Sequence, residues 1–370
     1  MISGGGTGGH IYPMLAVVKE LIKHGVSSSD IIWLGCGGGL EESIVSRNGL
    51  SFRHISSGAL RELRSWKTLG SLCKLNVGMT QAWRIMGEFK PDVISVSGGY
   101  TCAPVVLAAW LRRLPILVYL PDLEPGLAVR LASKFATRVA VSFGESEEFF
   151  PPAKVVVTGY PVRAEILAAD KLTSKEKLGL EAGLKTLLVF GGSQGAYSIN
   201  LAVSQMARDL VGICQIIHIS GTRDEDWVKA KREELDERFR SRYHVYSYLH
   251  KEMADALAAA DLAISRAGAA VLGEFPCLGL PSILIPYPYA GRHQALNADF
   301  MVEKGAAIRI EDEDLPRGGL SEMVMALLKD DKALQCLSQK ASLLARPEAA
   351  RRIADSILDL GREGGEICAA

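Results

Sequence analysis

The sequence predicts an α/β protein with two doubly wound domains, each built on a parallel sheet. Short β-branched runs alternate with longer helical patterns along all 370 residues, which is typical of strands joined by helical crossovers. A glycine-rich loop joins a strand to a helix near the start of each half of the chain. The length agrees with two domains, because a single hydrophobic core rarely serves more than about 300 residues.

The predicted strands are continuous apolar runs bounded by turns or helical segments. In the first half they are residues 31–34, 93–97, 116–120, 138–142 and 155–158. In the second half they are residues 186–190, 215–219, 262–265, 282–286 and 306–310. Strands of this kind are buried on both faces, so helices are expected to cover both sides of each sheet. Only three residues precede the first glycine loop, so the first strand is either very short or begins upstream.

The boundary between the two domains is predicted at Gly159-Tyr160-Pro161, which a polar connector follows to about Gly183. We therefore expect an N-terminal domain over residues 1–158 and a C-terminal domain over residues 159–344. The last helical segment, about 345–361, has no strand after it. It is expected to pack back on the N-terminal domain.

Composition excludes several classes of protein. Forty-two basic residues balance forty-two acidic ones, so no basic surplus indicates nucleic-acid binding. Seven scattered cysteines without a Cys-x-x-Cys pair favour reduced thiols in the cytoplasm and argue against a structural zinc site. The longest uncharged stretch, 93–111, contains serines, glycines and a proline, and predicts a strand, a turn and a helix rather than a membrane span. No segment has the pattern of a signal peptide.

The first glycine loop runs from Gly4 to Gly9 and meets a helical segment at His10. Glycines let the backbone approach a ligand closely, and the following helix N-terminus favours negative charge. The loop therefore predicts a phosphate or nucleotide site, although its spacing is neither Gly-x-Gly-x-x-Gly nor Gly-Lys-Ser/Thr. The alternative is a strand–helix turn without a ligand. His10 could accept a proton near neutral pH, or merely bond a neighbouring backbone group.

Two further clusters lie in the second half. Gly191-Gly192-Ser193-Gln194-Gly195-Ala196 follows an apolar run and precedes a helix, so its amides and polar side chains could hold a diphosphate. The second cluster, 265–274, is rich in small residues and ends at Glu274, which could accept two hydrogen bonds from a ribose diol. The alternative for Glu274 is an exposed helix carboxylate.

Five motifs occur along the chain: GGGTGGHIYP, GYPVR, GGSQGA, SRAGAAVLGE and HQALNA. Together they resemble the MurG family of bacterial glycosyltransferases (glycosyltransferase family 28). The resemblance covers nearly the whole chain, and the ordered set is far more specific than any one motif. It implies a GT-B fold, in which two Rossmann-like domains face each other across a cleft and the second holds most of the sugar nucleotide.

The resemblance also implies the donor contacts. Arg163 would pair with the diphosphate, Glu274 would bind the ribose, and Gln294 would contact the hydroxyls of N-acetylglucosamine (GlcNAc). The backbone near His250 would face the uracil. The candidate donor-binding residues are Thr7, Gly8, Gly9, Arg163, Ser193, Gln194, Gly195, His250, Ala269, Ala270, Val271, Leu272, Gly273, Glu274 and Gln294.

On the acceptor side, the resemblance places the first loop, Thr7 to His10, together with Tyr100. Here the sequence departs from the family. Many members carry His-Glu-Gln-Asn before a Pro-Gly-Leu turn, whereas this chain has Tyr119-Leu120-Pro121-Asp122. Asp122 replaces the family's asparagine, and an ionised carboxylate cannot donate a hydrogen bond as an amide does. Acceptor contacts or catalysis are therefore expected to differ.

The implied reaction moves GlcNAc from UDP-GlcNAc to undecaprenyl-diphospho-MurNAc-pentapeptide (lipid I). Inversion at the sugar gives a β1,4 linkage and the product lipid II, used in peptidoglycan synthesis. His10 is the expected base and Asp122 its rival. Arg163 and the second loop would absorb the charge of the leaving UDP, so no metal or other cofactor is expected.

A lipid-linked acceptor implies peripheral attachment to the cytoplasmic face of the cell membrane. Basic residues stand beside tryptophan and leucine between Leu60 and Arg84, a composition suited to an anionic surface. The alternative is a partly buried helix with a solvated basic edge. Partners in a cell-wall or division complex are left open.

Three other functions remain possible on sequence alone. The same scaffold occurs in glycolipid glycosyltransferases, which need an acceptor, and in UDP-GlcNAc 2-epimerases, which do not. Asp122 also admits an inactive module that binds a nucleotide sugar without transferring it.

Overall fold

The first unit contains a parallel sheet. In this computed structural model, residues 1–5, 8–58, 66–192, 194–289, 292–317 and 319–369 are described. The strands of the first sheet are β1 (Ile2–Ser3), β2 (Ile32–Gly35), β3 (Ser51–His54), β4 (Ile94–Val96), β5 (Ile116–Leu120), β6 (Arg138–Val141) and β7 (Val155–Val157). Their order across the sheet is β3-β2-β1-β4-β5-β6-β7, and every neighbouring pair is parallel.

The second unit repeats this topology with six strands. They are β8 (Lys185–Phe190), β9 (Cys214–Ile219), β10 (Tyr243–Tyr246), β11 (Leu262–Ser265), β12 (Ser282–Leu284) and β13 (Ala307–Arg309). The order is β10-β9-β8-β11-β12-β13, again with all neighbouring pairs parallel. In both sheets the strand order reverses direction beside the first strand, which is the pattern of a doubly wound fold.

Helices connect the strands. In chain order they are α1 (Gly8–Lys23), α2 (Leu40–Arg47), α3 (Trp66–Phe89), α4 (Cys102–Leu111), α5 (Leu127–Phe135), α6 (Ala164–Leu167), α7 (Lys171–Lys177), α8 (Tyr197–Leu210), α9 (Glu225–Glu233), α10 (Glu237–Arg240), α11 (Glu252–Ala259), α12 (Glu274–Leu278), α13 (His293–Glu303), α14 (Gly319–Lys329), α15 (Asp331–Ser342) and α16 (Ala349–Ala369). Within the described residues, none combines the length and the hydropathy that crossing a bilayer requires.

The first sheet separates two hydrophobic layers. Along β5, Ile116 and Val118 face the layer that contains residues of α3, α4 and α5. Leu117 and Tyr119 face the layer formed with α1, α2 and α16. Every side chain of β5 is therefore buried, which explains why this strand reads as a continuous apolar run.

The fold class predicted from the sequence is confirmed, since both units are α/β with parallel sheets. All ten predicted strands are present within a residue or two of their expected bounds. Two strands escaped prediction, β3 and β10, because each lies at a sheet edge and is partly exposed, so neither has a continuous apolar pattern. The first strand, β1, has two residues, yet it pairs with β2 on one side and β4 on the other.

The division between the units differs from the predicted boundary. The first unit comprises Met1–Arg163 with Pro347–Ala370, and the second comprises Ala164–Arg346. The chain therefore passes to the second unit after Arg163 rather than after residue 158. The last helix, α16, begins at Ala349 and packs against α1 of the first unit.

Candidate active site

The candidate site residues follow the carboxyl ends of strands, and the glycine-rich motifs among them lie beside the points where the strand order reverses. In the first sheet this point lies between β1 and β4, and in the second between β8 and β11. Open α/β sheets bind ligands at such switch points, because the loops after the two strands diverge to opposite faces and leave a crevice. Each unit therefore has one predicted ligand site, and the glycine-rich motifs lie at both.

At the first switch point, the loops after β1 and β4 pack backbone against backbone. The amide of Gly5 donates to the carbonyl of Gly98 at 3.4 Å. A Cβ atom at Gly4 would lie 2.0 Å from the hydroxyl of Ser97, and one at Gly99 would lie 2.3 Å from the carbonyl of Gly5. Gly99 also has φ +88°, which favours glycine. These glycines are therefore required for close approach of the loops.

His10 lies in the first turn of α1 and is held by the loop after β4. Its Nδ1 is 2.7 Å from the carbonyl oxygen of Ser97, and the hydroxyl of Ser97 donates to the carbonyl of His10 at 3.0 Å. Since a carbonyl only accepts, Nδ1 carries the proton and Nε2 keeps its lone pair. This tautomer is the one a general base needs. The hydrogen bond from Nδ1 to the backbone of Ser97 therefore orients the ring of His10.

Tyr100 and Asp122 follow β4 and β5, the two strands that come after β1 in the order of the first sheet. Asp122 comes two residues after β5, and Tyr100, 45% exposed, follows β4. Just before Asp122, Tyr119 is fully buried and its hydroxyl is 2.9 Å from that of Ser142. Burial raises the pKa of Tyr119 well above its usual value, and the charge of Asp122 adds to the effect. His10, Tyr100 and Asp122 thus follow the carboxyl ends of three adjacent strands, β1, β4 and β5.

Arg163 is the last residue of the first unit. Its guanidinium lies over the ring of Tyr12, 4.7 Å from the ring centroid, and Tyr12 belongs to the same helix as His10. A guanidinium in this position is fixed by a cation–π contact beside α1. The predicted domain bounds had assigned Arg163 to the C-terminal domain.

At the second switch point, glycines again allow two loops to interlock. Gly195 has φ +76°, and a Cβ there would lie 2.2 Å from the carbonyl of Ser220, which follows β9. A Cβ at Gly221 would lie 2.7 Å from the Cα of Gly195. The loop then enters α8 at Tyr197, so Gln194 and Gly195 directly precede a helix N-terminus. Such an N-terminus favours an anion.

The small-residue cluster after β11 forms a short 3₁₀ turn, Ala269–Leu272, followed by α12. Ala269, Val271 and Leu272 are buried, so their apolar side chains pack into the second unit. Glu274 begins α12 and is 8% exposed. This rejects the exposed helix carboxylate considered above. Ala270 and Gly273 complete the turn.

Gln294 and His250 lie on two further segments of the second unit. Gln294 is in the first turn of α13, and its Oε1 accepts a hydrogen bond from the amide of Tyr287 at 2.9 Å. This bond fixes the side-chain amide. His250 follows β10, is exposed, and its ring centroid lies 4.6 Å from that of Tyr248.

Two residues with many contacts were not assigned a role from sequence. Arg266, 10% exposed, donates to the hydroxyl of Ser198 at 2.9 Å and to the carbonyls of Ile285 and Pro286, both at 3.2 Å, and pairs with Asp312. It thereby fastens the loops around the second switch point. The position of Arg266 within a run of small residues could have indicated this role from the sequence. The other is Glu41, beneath the first loop, whose burial no sequence pattern indicated.

Some predicted features lie outside the described residues. These are Thr7, Ser193 and the segment from Leu60 to Ser65. Among the residues that the structure describes, no group of three or more His, Cys, Asp or Glu side chains is arranged to hold a metal ion.

Comparison with known proteins identifies the family. Residues 1–141 match the glycosyltransferase family 28 N-terminal domain, and residues 186–353 match the glycosyltransferase family 28 C-terminal domain. The chain belongs to glycosyltransferase family 28. Both switch-point sites thus lie within the domains that define this family.

Similar proteins extend over the full length of this family 28 chain. It is 40% identical over 371 residues to the UDP-N-acetylglucosamine–N-acetylmuramyl-(pentapeptide) pyrophosphoryl-undecaprenol N-acetylglucosamine transferase of Desulforudis audaxviator, covering 98% of this chain and 99% of that one. The crystal structure of Acinetobacter baumannii MurG matches with TM-score 0.74 and 26% identity, covering 97% and 98% of the two chains. A putative UDP-N-acetylglucosamine 2-epimerase from Listeria monocytogenes matches with TM-score 0.69 and 16% identity, covering 98% and 96%, and shows the fold alone.

Proposed function

We propose that this family 28 glycosyltransferase transfers GlcNAc from UDP-GlcNAc to undecaprenyl-diphospho-MurNAc-pentapeptide, giving lipid II for peptidoglycan synthesis. One observation carries the proposal: a transferase named for this donor and acceptor is 40% identical over 98% of the chain. The chemistry of the two switch points supports it. A glycine loop at a helix N-terminus suits the diphosphate of a lipid-linked acceptor in the first unit and that of UDP in the second.

In the proposed reaction, Nε2 of His10 takes the proton of the C4 hydroxyl of MurNAc. The hydroxyl oxygen forms a bond to C1 of GlcNAc, while the bond from C1 to the phosphate oxygen breaks and UDP leaves with the electron pair. A single in-line displacement inverts the configuration at C1. His10 fits this role because the carbonyl of Ser97 holds its Nδ1 proton, which keeps Nε2 as an acceptor.

The second unit would hold the donor. Glu274, which is buried, would bind the ribose diol through its carboxylate. The loop near His250 would face the uracil. Since Oε1 of Gln294 accepts from Tyr287, its NH₂ group is the part offered to the sugar hydroxyls. Arg163 and the loop amides would stabilise the leaving diphosphate, so we propose that the reaction needs no metal ion. A chelator should therefore leave the rate unchanged.

UDP release measured with and without a lipid I analogue tests the proposal. We expect release only when the acceptor is present. A 2-epimerase would instead convert UDP-GlcNAc to its C2 epimer without an acceptor, and an inactive module would bind UDP-GlcNAc in a calorimeter without turnover. Either of these results would refute the proposed function.

Asp122→Asn tests the departure from the family at the acceptor side. If the carboxylate only weakens acceptor binding, the amide should lower the KM for the acceptor by about threefold to tenfold, because it restores a hydrogen-bond donor. The KM for UDP-GlcNAc should not change. Steady-state kinetics with each substrate varied in turn measure both values, and Asp30→Asn provides an exposed control. A loss of kcat to background would instead assign the base to Asp122.

We further propose that the protein binds the cytoplasmic face of the membrane through the surface of α3 and α4. Trp83 is 40% exposed, and Trp110 and Leu111 are each 51% exposed. The guanidinium of Arg112 lies 4.1 Å from the ring centroid of Trp83, and Arg113 is exposed beside it. Exposed tryptophan next to arginine suits the boundary between acyl chains and anionic headgroups.

Sedimentation with lipid vesicles tests the membrane proposal. We expect binding to vesicles that contain anionic lipid, and a reduction of about tenfold when Trp83 and Trp110 are both replaced by alanine. Leu343→Ala is the matched control, because this leucine is 77% exposed in the second unit. Equal binding by the double variant and the control would contradict the assignment of this surface.

A further inference from the structure

Glu41 is a buried carboxyl group that the mechanism above does not use. It stands in the first turn of α2, directly after the loop that follows β2, and is 6% exposed. The indole Nε1 of Trp33, itself fully buried, donates to Oε1 of Glu41 at 2.7 Å. The backbone of Cys36 makes a second hydrogen bond to the carboxyl group. A carboxyl group held by two donors inside a core has a fixed position.

The other face of this carboxyl group touches the first glycine loop. A Cβ atom at Gly5 would lie 2.4 Å from Oε2 of Glu41, and one at Gly35 would lie 2.7 Å from its Cδ. Glu41 therefore occupies the space that a side chain at position 5 would need. The carboxyl group thus lies directly against Gly5, and we call it the floor of the first glycine loop.

A chain of hydrogen bonds links Gly5 to His10, the proposed base. The amide of Gly5 donates to the carbonyl of Gly98, and the preceding residue, Ser97, bonds both Nδ1 and the carbonyl of His10. A displacement of the loop floor would therefore change the position of the imidazole. Glu41 can therefore influence the position of His10 although it does not contact the reacting groups.

The charge of Glu41 depends on pH near neutrality. Burial raises its pKa to about 7, while the bonds from Trp33 and Cys36 oppose the shift. The thiol of Cys102, which lies near Glu41, stays neutral because burial raises its pKa to about 12, and the charge of Glu41 adds to this shift. On the outer side of α2, Glu42 pairs with His54 at 3.3 Å. An anion bound on the loop would favour the neutral form of Glu41.

We propose that Glu41 is a positioning residue for the acceptor: its neutral carboxyl group supports Gly5, at the start of the loop proposed to bind the acceptor diphosphate, and its ionised form disfavours that anion. The proposal rests on the proposed function, since it assigns the loop to the acceptor. It goes beyond that function by coupling acceptor binding to uptake of a proton at a residue that contacts no substrate.

The first test is a pH profile with substitutions at two neighbouring positions. For the wild type, kcat/KM for a lipid I analogue should fall as pH rises above about 7, where Glu41 ionises. Glu41→Gln, which stays neutral, should remove this fall and keep the KM for UDP-GlcNAc. Glu41→Ala should also lose this fall, and below pH 7 it should raise the KM for the acceptor by about tenfold relative to the wild type, because the loop loses its floor. Glu42→Gln, the control on the same helix, should keep the wild-type profile.

Three results would overturn the proposal. They are a fall that persists in Glu41→Gln, the loss of the same fall in Glu42→Gln, and an equal effect of Glu41→Ala on both substrates. Misfolding is checked by thermal unfolding at pH 8, where Glu41→Gln should be at least as stable as the wild type. The sign follows from linkage: a carboxyl group with a raised pKa in the folded state costs stability as pH rises through that pKa.

A second test does not depend on catalysis. Trp33 donates to Glu41, so its fluorescence, taken as the difference between the wild type and Trp33→Phe, should titrate with a midpoint near pH 7. Inorganic pyrophosphate should raise this midpoint, and Glu41→Gln should abolish the titration. A midpoint that pyrophosphate leaves unchanged would contradict the proposal. A wild type that shows the titration but transfers no GlcNAc would refute the proposed function alone.

Discussion

His10→Ala is expected to lower kcat by about 100- to 10,000-fold, the range that a general base contributes. The affinity for UDP should change by less than about twofold, because His10 lies in the first unit and the proposed uridine contacts lie in the second. The structure supports a severe effect, since Ser97 fixes the tautomer in which Nε2 accepts a proton. Steady-state turnover and calorimetric titration with UDP measure the two quantities.

His24→Ala controls for a general effect on this helix. His24 lies just beyond the end of α1, where its ring bonds the carbonyl of Glu20 at 2.8 Å, so its removal should leave kcat unchanged. A collapse of UDP binding in His10→Ala would mean that the first loop holds the donor. Substantial turnover in that variant would assign the base elsewhere, with Asp122 the first candidate.

Glu274→Ala is expected to raise the KM for UDP-GlcNAc by about 10- to 100-fold with a smaller change in kcat. A buried carboxylate that accepts from the ribose hydroxyls makes charge-assisted hydrogen bonds, and a net loss of about 1.5–3 kcal/mol corresponds to this range of KM. Because Glu274 is only 8% exposed, its carboxylate is partly desolvated, which strengthens the hydrogen bonds that it accepts. The KM follows from initial rates at saturating acceptor.

Binding of 2′-deoxy-UDP makes this prediction specific to the ribose. The wild type should bind UDP more tightly than its 2′-deoxy analogue, and Glu274→Ala should bind the two about equally. Glu303→Ala, at the exposed end of α13, is the control and should behave as the wild type does. A preference for UDP that survives in Glu274→Ala would show that another group holds the ribose.

The parts of the fold that were predicted are those with a strong local pattern. Strands such as β5 are buried on both faces, so their sequences are unbroken apolar runs. At the edges this signal disappears: β3 is largely exposed and carries Arg53 and His54. The passage between the units at Arg163 could not be located, because it depends on packing between distant segments, including the return of α16 to α1.

The candidate site was predictable where chemistry requires a particular residue type. Glycine at positions 99 and 195 follows from the close approach of another backbone segment, and both glycines are visible in the sequence. The floor beneath Gly5 was not predictable, because Glu41 reads as an ordinary acidic residue in a first helical turn. Its importance depends on burial against Trp33, which only the folded sheet creates. The orientation of His10 by Ser97 likewise joins residues far apart in the chain.

The most direct measurement is the structure of the product formed from UDP-GlcNAc and a short-chain lipid I analogue. After transfer, nuclear magnetic resonance of the isolated disaccharide reports the linkage and the anomeric configuration. We expect a β1,4 bond from GlcNAc to MurNAc, formed from the α-configured donor by one displacement. An α-linked disaccharide, or no disaccharide at all from folded protein and both substrates, would contradict the proposed function.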